Sequence, residues 1–177
     1  MDIEVELRSF ITKEQFDKFL ELFKQNGRLI KEDNQETYYF NAKEDLRIQK
    51  NDFFSKIWMK KGKIHDESRE EIEIKFPKEE FDKLEKLFVN MGFDVNIKWF
   101  RKRYEFEWEG ITVCLDYTRG YGHIIEFEKM SSEDEKDNAL AILKDKFTSL
   151  GIPITPREEF ESKFREYKDN WRELTRI

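Results

Sequence analysis

Charge recurs at every second position in several short runs of this chain, and on a β-strand residues two apart project from the same face. Glu4, Glu6 and Arg8 alternate with Val5 and Leu7. Arg69, Glu71, Glu73 and Lys75 share a parity opposite to that of Ile72 and Ile74. Arg101, Arg103, Glu105 and Glu107 interleave with Phe100, Tyr104, Phe106 and Trp108, with Lys102 out of phase. Glu126 and Glu128 alternate with Ile125 and Phe127, Arg47 and Gln49 flank Ile48, and Trp58 and Lys60 flank Met59. The two charge signs suit two tasks. Glu4, Glu6, Asp116, Glu126 and Glu128 offer hard oxygen ligands of the kind Mg²⁺ or Mn²⁺ takes. Arg8, Arg47, Lys60, Lys75, Arg101 and Arg103, joined by Arg69, suit a ligand with several negative charges, arginine being favoured for forked phosphate contacts. A divalent metal bridging the carboxylates to a polyphosphate neutralises both sets together. Taken singly, any one of these strands reads as the solvated face of a sheet. Taken together, the alternative is an internal lattice of salt bridges with no ligand.

Something must gather these faces. Strands are expected at about 2–9, 28–41, 45–50, 54–61, 69–76, 97–108, 111–117 and 121–129, mostly joined by hairpins such as Glu109-Gly110. Helical stripes fall between and after them. Phe16, Phe19, Leu20 and Phe23 recur at helical spacing, as do Phe81, Leu84, Leu87 and Phe88, while a last helix from about 156 to 171 carries Phe160, Phe164 and Tyr167. The unit repeats: Ile3 to Arg8 and Glu71 to Lys75 each precede a helix containing Lys-Glu-x-Phe-Asp-Lys, and a weaker copy runs from Glu126 to Gly151. Gly27, Gly92 and Gly151 follow the three helices and suit a left-handed cap. Apolar helix stripes must land on the apolar strand faces. The expected fold is therefore α+β: an eight-stranded antiparallel β-barrel, or tunnel, with helices outside and a charged interior that includes Glu71 and Glu73. Charge of both signs in such an interior is costly unless a ligand compensates it.

Bulk properties narrow the function. The chain of 177 residues suits one domain, 1–177. A net charge of -6 argues against nucleic acid as the main partner. No N-terminal apolar run suggests a signal peptide or a membrane span. Cys114 is the lone cysteine and leaves no internal disulfide, which fits the cytoplasm. It shares parity with Asp116 and so faces the same way.

Read in order, these runs resemble the CYTH superfamily, the triphosphate tunnel metalloenzymes, which includes class IV adenylyl cyclases, thiamine triphosphatases and inorganic triphosphatases. The family's Glu-x-Glu-x-Lys signature is matched by Glu4-Val5-Glu6-Leu7-Arg8. Its Leu-Arg-Ile-Arg strand is matched by Leu46-Arg47-Ile48-Gln49, after Gln35-Glu36-Thr37-Tyr38-Tyr39. Ile57-Trp58-Met59-Lys60, Arg69-Glu70-Glu71-Ile72-Glu73 and Arg101-Lys102-Arg103-Tyr104 follow, then Leu115-Asp116 and Gly120 to Glu128. Three departures stand out: Arg8 for a lysine, Gln49 for an arginine and Arg101 for a lysine. By the resemblance, Gln49 weakens one phosphate contact. Some members activate water with that last lysine and a tyrosine; arginine is a poor proton acceptor, so a lysine base here would have to be Lys98 or Lys102.

The resemblance implies a divalent-metal-dependent phosphohydrolase acting on inorganic triphosphate, thiamine triphosphate or a nucleoside triphosphate. It gives catalytic parts to Glu4, Glu6, Arg103 and Tyr38, and a cofactor of Mg²⁺ or Mn²⁺. A class IV adenylyl cyclase making cyclic AMP from ATP is the first alternative, and a non-catalytic module binding nucleotide or polyphosphate the second. The expected partner is a small triphosphate, with neither nucleic acid nor membrane, and the expected state a cytoplasmic monomer or homodimer.

Overall fold

A computed structural model describes residues 3–60 and 71–176, with the side chains of Lys60 and Glu71 excepted. Arg69 lies outside the described residues. Eight strands and four helices follow one another as β1 (Ile3–Ile11), α1 (Lys13–Asn26), β2 (Arg28–Phe40), β3 (Asp45–Lys50), β4 (Ser55–Lys60), β5 (Glu71–Phe76), α2 (Phe81–Asn90), β6 (Val95–Trp108), β7 (Ile111–Thr118), β8 (Gly122–Ser131), α3 (Lys136–Ser149) and α4 (Arg157–Thr175). The strands form one sheet in the order β1-β8-β7-β6-β2-β3-β4-β5. Pairing is antiparallel for β1 with β8, β7 with β8, β2 with β3, β3 with β4 and β4 with β5. The chain condenses into two compact units, 1–32 with 102–163 and 33–101 with 164–177.

In the first unit the odd residues of β1 and β8 turn to a core of Val5, Phe127, Ile125, Phe106, Val113 and Leu115. Onto that face α1 lays Phe16, Phe19 and Phe23, and α3 lays Ala139, Leu143 and Phe147. Each buried ring or aliphatic side chain contributes about 1.5–3 kcal/mol. Thr12 starts α1 in a capping box: its side chain accepts from the Gln15 amide at 3.1 Å, and the Gln15 side chain accepts from the Thr12 amide at 2.9 Å. Between β6 and β7, Glu109 and Gly110 both adopt positive φ, 46° and 76°, as a two-residue hairpin requires. The segment between α3 and α4 is fastened to β1. Ser9 Oγ donates to the Pro153 carbonyl at 2.5 Å, and the Phe10 amide donates to Thr155 Oγ1 at 2.9 Å.

In the second unit α2 covers Tyr38, Phe40 and Ile48 with Phe81 and Phe88. The later part of α4 belongs here too. Tyr167 donates its hydroxyl to the Lys98 carbonyl at 2.8 Å, Trp171 donates Nε1 to the Asn96 carbonyl at 3.0 Å, and Phe164 and Tyr167 pack on Trp99. Lys98 meets Glu85 of α2 at 3.3 Å, whereas Trp99 projects from the other face of β6. So α4 differs from the first three helices: it packs on the side of the sheet that carries the charges. Of its aromatic stripe, Phe160 packs on Phe10 in the first unit, and Phe164 and Tyr167 pack on Tyr39 and Trp99 in the second.

One helix end departs from expectation. Gly92 and Gly151 take the left-handed conformation at φ 91° and 67°, but Gly27 is extended at φ -115°. A glycine is needed at 27 for closeness, since a Cβ there would stand 2.9 Å from the Phe23 carbonyl oxygen.

Candidate metal and phosphate site

Register carries the alternating charges of the first unit into rows. Glu6 lies opposite Glu128 across β1 and β8, and Glu128 lies opposite Thr112 across β8 and β7. In the next row on this face Arg8, Glu126 and Cys114 stand abreast. Asp116 and Phe10 both oppose Ile124 in the row after. All project away from α1 and α3, because Val5, Ile125 and Phe127 of the other parity face the helices.

Arg103 is the fixed point of the cluster. Its Nε and Nη2 donate to the two oxygens of Asp116 at 2.8 and 2.7 Å, and Nη2 also reaches Glu126 at 3.0 Å. Burial alone would lower its pKa; the charges of Asp116, then Cys114 and Glu126, overcome this and hold it well above the ordinary range. Arg8 lies 4.6 Å from the ring centre of Phe160 in α4. Two sets of ligand atoms, Glu4 with Glu6 and Glu128, and Cys114 with Glu126 and Glu128, each lie within 4.8 Å of one another. Glu128 belongs to both. Burial, then the neighbouring Glu126, pushes its carboxyl up to about 9. Burial likewise pushes the Cys114 thiol up.

A half-buried acid that resists ionisation beside two further carboxylates is a donor set short of positive charge. The all-oxygen set of Glu4, Glu6 and Glu128 fits a hard divalent cation such as Mg²⁺ or Mn²⁺. Cys114 makes the other set a poorer match to these ions. A cavity of about 440 Å³ opens beside this end of the face, between Ile30, Glu105, Glu107, Thr112, Glu128 and Met130.

The second unit presents its own basic face. Arg47 stands opposite Tyr39 and Trp58 in the ladders, lies 4.2 Å from the Tyr39 ring centre and bonds Asp45. Arg101 donates Nε and Nη2 to the Gln35 amide oxygen at 2.7 and 2.5 Å, a neutral partner that leaves its charge uncancelled by that bond. Gln49, in an arginine's place, donates to Thr37 Oγ1 at 2.8 Å. Glu73 pairs with Lys56 at 2.6 Å and Lys75 at 3.5 Å. Burial works against its ionisation, but these ammonium groups draw its pKa down. Lys60 and Glu71 oppose one another in the ladder.

Tyr38 lies elsewhere than the sequence reading placed it, and the two candidate lysine bases point away from the charged face. Tyr38 faces α2: its ring packs 5.0 Å from Phe81, and its hydroxyl donates to Glu36. Burial first, and then Glu36, raises its pKa, the reverse of what a proton acceptor needs. Its neighbour Tyr39 is the tyrosine on the Arg47 side. Lys98 is held by Glu85, and Lys102 by Glu32 at 2.5 Å, each pointing opposite to its neighbour Arg101 or Arg103. Neither stands in for the missing lysine. The contact of Phe160 with Arg8 is not legible in the sequence, since nothing in a helical stripe names its partner.

The residues forming this carboxylate and guanidinium face lie within 2–156, over which the chain matches the sequence profile of the CYTH domain. The chain belongs to the CYTH domain family. It is 32% identical over 163 residues to a Methanocaldococcus jannaschii protein named "Putative adenylate cyclase", spanning 85% of this chain and 90% of that one. Among solved structures it resembles a conserved hypothetical protein of Pyrococcus furiosus, with TM-score 0.72, 23% identity and coverage of 87% and 96% of the two chains. A Pyrococcus horikoshii protein gives TM-score 0.70 at 27% identity, covering 87% and 93%. A Vibrio parahaemolyticus structure, also titled an adenylate cyclase of the putative kind, gives 0.62 at 22%, covering 90% and 98%. These likenesses bear out the CYTH resemblance and the eight-stranded α+β fold. Among the described residues of this CYTH chain, no helix is long and apolar enough to cross a membrane.

Proposed function

We propose that this CYTH protein is a divalent-metal-dependent phosphohydrolase acting on a triphosphate compound, whether inorganic triphosphate, thiamine triphosphate or a nucleoside triphosphate. The observation that carries the reading is the convergence of Glu4, Glu6 and Glu128 on one face with Arg8 and Arg103. Glu4, Glu6 and Glu128 would hold Mg²⁺ or Mn²⁺, with Asp116 and Glu126 orienting Arg103 beside them. Bound there, the ion would supply charge neutralisation and polarisation of the phosphoryl group. The chain's own cations orient the substrate and meet the negative charge that develops as water attacks phosphorus. Arg103, clamped by two carboxylates, contributes a guanidinium whose direction is set before the substrate arrives. Arg8 contributes one steadied by the Phe160 ring. Arg47, Arg101 and Lys75, with Lys60 by its strand position, are further phosphate ligands in this proposal. In hydrolysis the attacking water forms a new O–P bond, the bridging O–P bond breaks, and the products are phosphate and a diphosphate.

The names of the Methanocaldococcus jannaschii and Vibrio parahaemolyticus proteins favour a second reading, adenylyl cyclase chemistry, in which a ribose hydroxyl attacks the α-phosphorus of ATP and pyrophosphate leaves. One assay separates the readings: phosphate and pyrophosphate release from inorganic triphosphate, thiamine triphosphate and ATP, with and without Mg²⁺ or Mn²⁺. Metal-dependent phosphate release supports the hydrolase. Pyrophosphate with cyclic AMP supports the cyclase. Triphosphate binding without turnover leaves a binding module and ends both.

A further inference from the structure

The same face of the first unit carries a second polar feature, further along the strands than the metal carboxylates. On β7 Cys114, Asp116 and Thr118 alternate on one side, so Thr118 projects with them. Thr118 is 1% exposed, and its Oγ1 has no hydrogen-bond partner among the described residues. A buried hydroxyl left unsatisfied is costly and uncommon. Directly opposite it in the ladder is Gly122, with φ 119° and no side chain. Cross-strand partners point to one side of a sheet. A Cβ placed on Gly122 would stand 3.6 Å from Lys163 Nζ, so that ammonium lies over the residue that pairs with Thr118.

Lys163 comes from α4 and pairs with no carboxylate among the described residues. Its Nζ is 4.4 Å from the ring centre of Phe10 and 5.7 Å from that of Tyr121. Phe10 in turn stacks at 4.3 Å on Phe160, the ring that carries Arg8. Aromatic faces hold an ammonium in place without cancelling its charge, so its donors remain for an anion.

We propose that Lys163 and Thr118, over the open backbone of Gly122, form a second anion subsite that takes a phosphate oxyanion. It is distinct from the metal carboxylates. The Gly122 row lies four residues along β8 from Glu126 and six from Glu128, roughly 13 and 20 Å at strand rise. The subsite therefore takes either a free phosphate or the far end of an extended polyphosphate, and chain length tells these apart.

The experiment titrates orthophosphate into the ¹⁵N-labelled full-length protein in EDTA, so that the carboxylates are not read. The Thr118, Gly122 and Lys163 amides are followed by NMR. Saturable shifts are expected in the wild type. They should weaken about tenfold or more in Lys163→Met and likewise about tenfold or more in Thr118→Val, the loss of one hydrogen bond to an anion. Thr118→Ser should retain them, and Lys168→Met, an exposed lysine of the same helix, should match the wild type. No saturable shift in the wild type, or equal affinity in a folded Lys163→Met, overturns the subsite. Repeating the titration with linear triphosphate and longer chains assigns its occupant. Lys163-dependent affinity rising with length marks the end of a polyphosphate, and equal affinity for orthophosphate marks free phosphate. Because no metal is present, failure of the hydrolase reading and failure of the subsite are separate results.

Discussion

Replacing Glu128 by Gln should stabilise the metal-free protein at neutral pH, although it removes a carboxylate from the centre of the site. Burial and the adjacent Glu126 hold the Glu128 carboxyl protonated up to about 9, against an ordinary value of 4.5. Between these limits the folded chain binds a proton that the unfolded chain releases. Stability from this group is therefore fully present below 4.5 and is lost as pH rises towards 9, at about 1.4 kcal/mol per pH unit. At pH 7 the accumulated cost is at most about 3 kcal/mol, a ceiling because part of the shift is shared with Glu126. Glutamine keeps the neutral shape and a hydrogen-bonding arm without the proton uptake. The assay is urea unfolding of wild type and Glu128→Gln in EDTA at pH 5, 6, 7 and 8. The variant's advantage should grow with pH and fade towards 4.5. Adding Mg²⁺ should reverse the order, since an ion that binds only the folded wild type stabilises it by mass action. Parallel pH dependences, or a variant less stable at pH 8 without metal, would refute the placement of the half-buried Glu128 beside Glu126.

Glu4→Gln with Glu6→Gln should abolish metal-dependent turnover while leaving the unfolding free energy in EDTA within about 0.5 kcal/mol, because both side chains are exposed. Circular dichroism and phosphate release on the same sample check this. Arg103→Ala should cost about 3–5 kcal/mol, seen in urea unfolding, because the buried carboxylates of Asp116 and Glu126 both lose the guanidinium that offsets their charge. Phe19→Asp should leave no folded protein, since Phe19 is 3% exposed in the α1 face of the core; a cooperative thermal transition in that variant would sink the packing assignment. Tyr38→Phe should leave turnover unchanged and lower stability by about 1 kcal/mol through loss of its bond to Glu36. A collapse in kcat with stability intact would return a catalytic part to Tyr38.

Period-two charge made the carrying face readable in advance. Once β1 and β8 are strands, Glu4, Glu6, Glu126 and Glu128 must share a side, and the phenylalanine stripes fix which side is dry. Parity does not choose between neighbours. Tyr38 and Tyr39 are adjacent, and a shift of one residue in the β2 and β3 register would exchange their faces, so only the pairing of Tyr39 with Arg47 decides. Nor does parity give distances, and it cannot say that Arg103 claims Asp116 and Glu126. An amphipathic stripe announces that α4 is covered without naming what covers it. Gly27 differs from the expectation because a glycine after a helix has two uses, a left-handed turn or a close approach, and the sequence is the same for both. Lys163 meets Gly122 across a long separation in sequence, so no local pattern could join them.

The clasp between β1 and the segment preceding α4 bears on how the chain behaves in company. β1 stands at one end of the strand order, and a terminal strand with free amides is a template on which a second chain can add. The Phe10 amide is already spent on Thr155, and Ser9 beside it is tied to Pro153. The clasp therefore acts as a guard against edge-to-edge growth at that end of β1. Its loss, through Thr155→Val, would be felt first as oligomers forming on concentration, before any change in the fold of the single chain.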